Sequence, residues 1–111
     1  MKAAASLGEF EQVVLLAILR LGDNAYGVTI AAEIAACTGR EASPGALYTT
    51  LDRLESKGLV LSRFGDPTPQ RGGRAKRYFT LNSNGLTAIT RAQQSYRRLL
   101  EGCKLPGLTH A

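Results

Sequence analysis

Apolar residues recur at helical spacing along residues 7–21, and this pattern predicts the first helix. One face of that helix carries Phe10, Val14, Ala17, Ile18 and Leu21. Val13, Leu16 and Leu19 lie outside this stripe, so the helix is apolar on nearly every side. Such a helix must be covered on more than one side. In a chain of 111 residues, a second subunit can provide that cover.

Two further helices are predicted before residue 58. The first covers about residues 25–37, with Asn24 available as its cap. Its inward face holds Gly27, Ile30, Ala31, Ile34 and Ala35. The second begins at Pro44, because Ser43 is a favoured N-cap and proline suits the first helical position. It continues to about residue 57, before Gly58.

This third helix has two chemically different sides. Leu47, Leu51 and Leu54 recur at helical spacing and predict the side that faces the core. The opposite side is polar and carries Thr49, Thr50, Asp52, Arg53, Ser56 and Lys57. The first turn, which includes Gly45, is small and polar.

The pattern changes after residue 58. Residues 59–64 and 76–81 are rich in β-forming residues, and a loop containing proline, glycine and arginine separates them, so we predict a β-hairpin. Neighbouring strand residues point to opposite faces, so only one of Tyr78 and Phe79 can face the core. Residues 82–101 predict a last helix with the alternating spacing of a coiled-coil seam. The seam consists of Leu86, Ile89, Gln93, Tyr96 and Leu100.

This order of elements predicts the fold class, mainly α (α+β): a winged helix-turn-helix with a C-terminal dimerisation helix. Residues 1–81 are expected to form the winged helix-turn-helix domain and residues 82–104 the dimerisation helix. Residues 105–111 contain proline and glycine and are expected to be irregular.

The positive charge is distributed unevenly along the chain. Overall the formal net charge is +5, but residues 1–66 carry six Lys/Arg against eight Asp/Glu, and residues 67–111 carry eight against one. Such asymmetry in a short chain suggests a surface that faces a polyanion such as nucleic acid. A solvated basic tail is the alternative, but the basic part also contains an apolar helix pattern and a Tyr-Phe strand.

The composition also bears on compartment and chemistry. The longest apolar stretch, residues 13–19, is too short to span a membrane, and acidic rather than basic residues precede it, so we expect a cytoplasmic protein. Cys37 and Cys103 are too few for a disulfide framework or a zinc site. Two reduced thiols are expected, with a redox-sensing pair as the alternative. No cofactor is expected.

An enzyme is not expected. The sole histidine, His110, lies one residue from the end, and the carboxylates are scattered. Catalysis requires a nucleophile with a base, paired carboxylates or a metal cluster.

The third helix and the hairpin loop hold the candidate DNA-binding residues. A helix fits the major groove, and a basic hairpin can reach phosphates or the minor groove. The candidates are Tyr26, Ser43, Gly45, Tyr48, Thr49, Arg53, Arg71, Gly73, Arg74 and Lys76. Tyr26 and Tyr48 could instead pack against apolar neighbours, and Ser43 could be only a cap. The candidate dimer contacts are Phe10, Val13, Leu86, Ile89, Gln93, Tyr96 and Leu100.

Other basic residues have simpler explanations. Arg77 could be a cation on the sheet surface, because it points opposite to its strand neighbours. Arg91, Arg97 and Arg98 lie away from the seam, and we expect them to form a solvated helix face.

Three blocks of the sequence resemble the signature of PadR-family regulators. They are Tyr26-Gly27, residues 44–60 (PGALYTTLDRLESKGLV) and residues 73–85 (GRAKRYFTLNSNG). The resemblance covers roughly residues 7–101. Thr49 stands where the family usually has proline, and Asn82 stands where a threonine cap is usual.

The resemblance implies a repressor that dimerises through its last helix and binds an inverted repeat of double-stranded DNA near a promoter. With a single helix after the wing, the chain resembles the short type. Many relatives release DNA when they bind small aromatic or cationic compounds, so a small-molecule effector is a further expectation. The alternative is a winged-helix protein-interaction module that does not read DNA. Single-strand or RNA binding is less favoured, because the chain lacks an aromatic platform.

Overall fold

The computed structural model describes residues 6–65 and 75–104. The helices are α1 (Glu9–Leu21), α2 (Gly27–Thr38), α3 (Pro44–Ser56) and α4 (Ser83–Glu101), and a 3₁₀ turn (Gly22–Asn24) follows α1. The strands are β1 (Val60–Phe64) and β2 (Arg77–Leu81). The predicted order of elements is confirmed, with ends that differ by one or two residues. None of the described helices is both long and apolar enough to cross a membrane.

Among the described residues, one core cluster is found, and it lies where α1, α2 and α3 meet. The leucines predicted for the inner side of α3, Leu47, Leu51 and Leu54, are at most 1% exposed and pack in one cluster with Leu15 and Ile30. Thr50 was predicted on the polar side, and this is wrong. It is 5% exposed, and its hydroxyl donates to the Ala46 carbonyl at 2.9 Å, which satisfies the buried group.

The start of α2 also differs from the prediction. Asn24 belongs to the 3₁₀ turn, and the N-cap of α2 is Tyr26. Thr29, in the first turn, accepts a hydrogen bond from the Tyr26 N–H at 3.0 Å through its hydroxyl. This bond satisfies the N–H of the N-cap residue, while no side chain caps the first turn of α2, and both Ala25 and Tyr26 are extended.

The extended residues before α2 join the hairpin. β1 and β2 pair antiparallel with Ser62 opposite Phe79. Tyr26 forms a β-bridge with Tyr78, and the Phe79 N–H donates to the Ala25 carbonyl at 2.9 Å. Phe79 is 2% exposed and enters the core, whereas Tyr78 is only half-buried. The hairpin is therefore hydrogen-bonded to the helical body.

The start of α4 is fixed against the hairpin. Asn82 caps α4, accepting a hydrogen bond from the Gly85 N–H at 2.8 Å, and its side-chain amide donates to the Gly58 carbonyl at 2.7 Å. Gly85 lies so close to β1 that a Cβ there would be 2.1 Å from the Leu59 carbonyl oxygen. Only glycine allows this approach.

A partly buried ion pair joins the start of α1 to the end of α3. The Lys57 ammonium donates to both carboxylate oxygens of Glu11 at 2.9 Å, and Glu11 is 4% exposed. Burial raises the pKa of Glu11, but hydrogen bonds from Lys57 and from the Gly8 N–H, together with nearby positive charge, outweigh burial and lower it overall.

Because the pKa of Glu11 is lower in the folded chain than in the unfolded chain, the carboxylate stabilises the fold above its unfolded pKa, about 4.3 for a glutamate. That stabilisation is lost as the pH falls through the folded pKa. We expect Glu11→Gln to lower the melting temperature at pH 7, with a smaller deficit at pH 3.5. Thermal melts of both proteins across this range measure the deficit. A deficit that does not change with pH would contradict this role.

Gly85→Ala is expected to lower the free energy of unfolding by roughly 1–3 kcal/mol, because the new Cβ meets a backbone carbonyl that cannot rotate away. Urea denaturation at one protein concentration measures the change. Gly102→Ala is the matched control at the other end of α4, where the nearest atom to the new Cβ is 3.8 Å away. Equal effects of the two substitutions would refute the close approach.

Candidate nucleic-acid interface

The outer side of α3 is an exposed polar surface held in place by the leucines behind it. Ser43 caps the helix, accepting a hydrogen bond from the Ala46 N–H at 3.1 Å. Gly45, Thr49 and Arg53 are all exposed, and the space around Gly45 is open. The first turn can therefore approach another molecule without a large side chain in the way.

Tyr48 lies at the edge of this surface and packs partly against α2. It is 40% exposed, and the end of its ring lies against Gly27 at the start of α2. This position is compatible with both expectations for Tyr48, contact with DNA and packing against neighbours, because the ring packs while part of the residue remains accessible.

Two tyrosines and two cations form a cluster where the paired strands enter the hairpin loop, which we call the wing-base cluster: Tyr26, Tyr78, Lys76 and Arg63. The tyrosine rings meet edge to face, with centroids 5.4 Å apart. The Lys76 ammonium lies 4.5 Å from the centroid of the Tyr26 ring and 3.4 Å from its hydroxyl. The Arg63 guanidinium lies 4.9 Å from the centroid of the Tyr78 ring. These contacts hold two cations beside the start of α2.

Arg77 is engaged in ion pairs with α3. Its guanidinium donates to Glu55 at 2.6 Å and to Asp52 at 3.2 Å. Glu55 also accepts a hydrogen bond from Ser62 at 2.8 Å. Arg77 is therefore the sheet-surface cation of the alternative interpretation, and it links the hairpin to α3.

Three of the predicted DNA contacts, Arg71, Gly73 and Arg74, lie outside the described residues. Of the hairpin candidates, the structure places only Lys76. The Lys76 ammonium donates a hydrogen bond to the Tyr26 hydroxyl, and the sequence alone does not indicate this contact.

The predicted dimer contacts occupy different environments. Ile89 is 3% exposed and belongs to the core of the chain itself, which leaves almost none of its side chain for a second subunit. Gln93 is half-buried and donates to the side chain of Gln12 on α1 at 3.4 Å. Phe10 and Val13 are half-buried against the core. Leu86, Tyr96 and Leu100 are between 45% and 49% exposed.

The last two turns of α4 are not covered by the rest of the described chain. Every residue from 94 to 101 is exposed, although Tyr96, Leu99 and Leu100 are large and apolar. On α1, Leu16 and Leu19 are 38% and 43% exposed and line an open groove with Gln93 and Arg97 of α4. The predicted excess of apolar surface on α1 and α4 is therefore present.

Both cysteines are free and exposed. The Cys37 thiol donates to Glu33 on the same helix at 3.6 Å, and the Cys103 thiol donates to the Leu99 carbonyl at 3.2 Å. Within the described ranges, no three His, Cys, Asp or Glu side chains are grouped as metal ligands would be.

Three packed helices, a hairpin joined to them by a bridge, and an exposed polar face on the third helix define a winged helix-turn-helix protein. The chain belongs to the PadR-like family of transcriptional regulators, because the model of that family matches residues 15–91. The resemblance based on three sequence blocks is confirmed.

Solved structures with the same fold include several regulators. A transcriptional regulator from Clostridium thermocellum is 20% identical, with 82% of each chain covered and a TM-score of 0.68. A PadR family transcription regulator from Clostridium difficile is 25% identical, with 83% of this chain and 92% of that chain covered and a TM-score of 0.65. A PadR-like transcription factor from Bacteroides fragilis is 22% identical, with coverages of 83% and 84% and a TM-score of 0.68. No curated protein matches the chain.

Proposed function

We propose that this chain is a homodimeric, sequence-specific regulator that binds an inverted repeat of double-stranded DNA and represses the promoter that contains it. The observation that carries this proposal is the exposed, small and polar first half of α3, whose Tyr48 packs against Gly27, the residue after Tyr26 of the wing-base cluster. A helix of this kind can enter the major groove and present Thr49 and Arg53 to base edges. Lys76 and Arg63 then supply positive charge for the flanking phosphates.

The dimer is supported by the uncovered apolar surface. Tyr96, Leu99 and Leu100 surround the end of α4 and would remain in water in a monomer. Burying the apolar area that they still expose is favourable by roughly 25 cal/mol per Å², which supports their association with a second copy. A two-fold dimer presents two copies of α3, as an inverted repeat requires.

A small-molecule effector is part of the same proposal. An open groove of about 630 Å³ runs between the start of α1 and the middle of α4. Tyr96, Ala92 and Leu59 give it apolar and aromatic walls, and Gln12 provides an amide. This chemistry suits a small aromatic compound. Since the groove borders α4, an occupant could change how two copies pack.

Lys76→Gln is expected to weaken binding to every duplex to a similar degree and to reduce the salt slope by about one, because one phosphate contact is lost. Thr49→Ala should reduce the discrimination between bases at one position by about 1–3 kcal/mol. The salt slope should stay unchanged. The probe is an inverted-repeat duplex selected from random sequences by the purified protein, titrated at several salt concentrations.

Lys104→Gln is the matched control, because Lys104 is an exposed lysine beyond the end of α4. We expect it to bind like the parent protein. If the parent binds no duplex even at low salt, the alternative of a protein-interaction module is supported instead. If Lys76→Gln and Thr49→Ala both bind as the parent does, the assigned surface is wrong.

Leu99→Glu is expected to produce monomers, because Leu99 is 71% exposed in the protomer and a charge there would be buried in the dimer. Light scattering measures the mass, and circular dichroism checks that the protomer stays folded. Ile89 is unsuitable for this test, because a charge at a core position would unfold the protomer itself. Ser83→Glu, with the same added charge at the other end of α4, should remain dimeric. A dimer of unchanged stability in Leu99→Glu would refute the α4 interface.

A further inference from the structure

Gly27, the first residue of α2, occupies a position where a side chain would collide with the ring of Tyr48 in its present place. A Cβ there would lie 2.1 Å from the Tyr48 hydroxyl oxygen, 2.7 Å from Cζ and 3.1 Å from Cε2. Real Cβ atoms are essentially never found within 3.0 Å of another heavy atom, so the end of the tyrosine ring fills the volume that a side chain would need.

The backbone of Gly27 does not itself require glycine. Among the described residues, Gly22, Gly39 and Gly58 have a positive φ angle, and Gly27 does not. Any L-residue could adopt its conformation at the start of a helix. The missing side chain at position 27 therefore serves the neighbour, Tyr48, and not the turn into α2.

Tyr48 belongs to α3, next to Thr49 on the exposed surface, and it keeps 40% of its area accessible. Its hydroxyl is brought to the start of α2, where α2 and α3 meet. The hydrogen bonds of the described residues include none from this hydroxyl, and the neighbour identified for it is Gly27. It is thus positioned by packing, and its donor is not used within the described part of the chain.

We propose that Gly27 is a positioning residue for DNA binding: it provides the notch that holds the Tyr48 hydroxyl at the junction of α2 and α3, where it donates to a DNA phosphate. This inference rests on the proposed function. The position of the Tyr48 ring on α3 is then determined by Gly27 on α2, which leaves room for the ring because it has no side chain.

The test is a double-mutant cycle on DNA affinity, with the selected inverted-repeat duplex as the probe. Tyr48→Ala should raise the Kd by roughly tenfold, the usual loss for a hydrogen bond to a charged group. Gly27→Ala should raise it at least as much, because the new Cβ displaces the ring. In the double variant, alanine at position 27 should add less than about a twofold change, since the ring it displaces is already gone.

General damage to α2 gives a different result, because the two substitutions would then act independently and their effects on Kd would multiply. Multiplied effects overturn the proposal, as does unchanged binding of Gly27→Ala or of Tyr48→Ala. Gly8→Ala is the matched control: it is also a glycine at the start of a helix, and its Cβ would make only an ordinary contact at 3.6 Å. We expect it to bind as the parent protein does.

A further variant keeps the test decisive if Gly27→Ala does not fold. Tyr48→Phe retains the ring and removes only the hydroxyl, so the melting temperature should stay unchanged while the Kd rises severalfold. Parent-like binding of Tyr48→Phe overturns the proposal. If the parent protein itself binds no duplex, the proposed function fails. If the parent protein binds the duplex and Gly27→Ala binds it with the same Kd, only the role of Gly27 is refuted.

Discussion

The structure depends on the burial of one side of α3. Leu47, Leu51 and Leu54 are almost completely excluded from water and contribute to the only core cluster found in the described part of the chain. Because side chains on a helix are fixed relative to one another, burying these leucines forces Thr49 and Arg53 to the surface. The same packing that stabilises the fold therefore exposes the residues proposed to read DNA.

Much of this organisation could be predicted from the sequence. The leucine spacing of α3, the Ser-Pro start and the change to β-forming residues after Gly58 are local signals, and the structure follows them. Two of the local signals fail. Thr50 is polar, yet it is buried, and its hydroxyl is satisfied by a carbonyl of its own helix. Ile89 fits a coiled-coil spacing, yet it is taken into the core of the protomer.

The candidate site shows the same division. Exposure of the α3 surface follows from amphipathic spacing, so Gly45, Thr49 and Arg53 could be identified from sequence alone. The contact of Gly27 with Tyr48, and the pairing of Tyr26 with Tyr78, join residues that are 21 and 52 positions apart. No local pattern specifies such pairs. Charge is also redistributed by folding: Arg77, from the basic part of the sequence, is neutralised by Asp52 and Glu55 from the acidic part.

The attachment of α4 to the hairpin has a mechanical consequence. Asn82 is hydrogen-bonded to Gly58, and Gly85 touches the Leu59 carbonyl, so the start of α4 cannot rotate without moving β1. In the proposed dimer, each α4 then moves as one rigid body with its own hairpin, and its C-terminal end packs against the other copy. A change of a few degrees in the crossing angle between the two α4 helices would tilt both hairpins. It would also alter the distance between the two α3 helices. The length of DNA spacer that the dimer tolerates would thus be set far from any base contact.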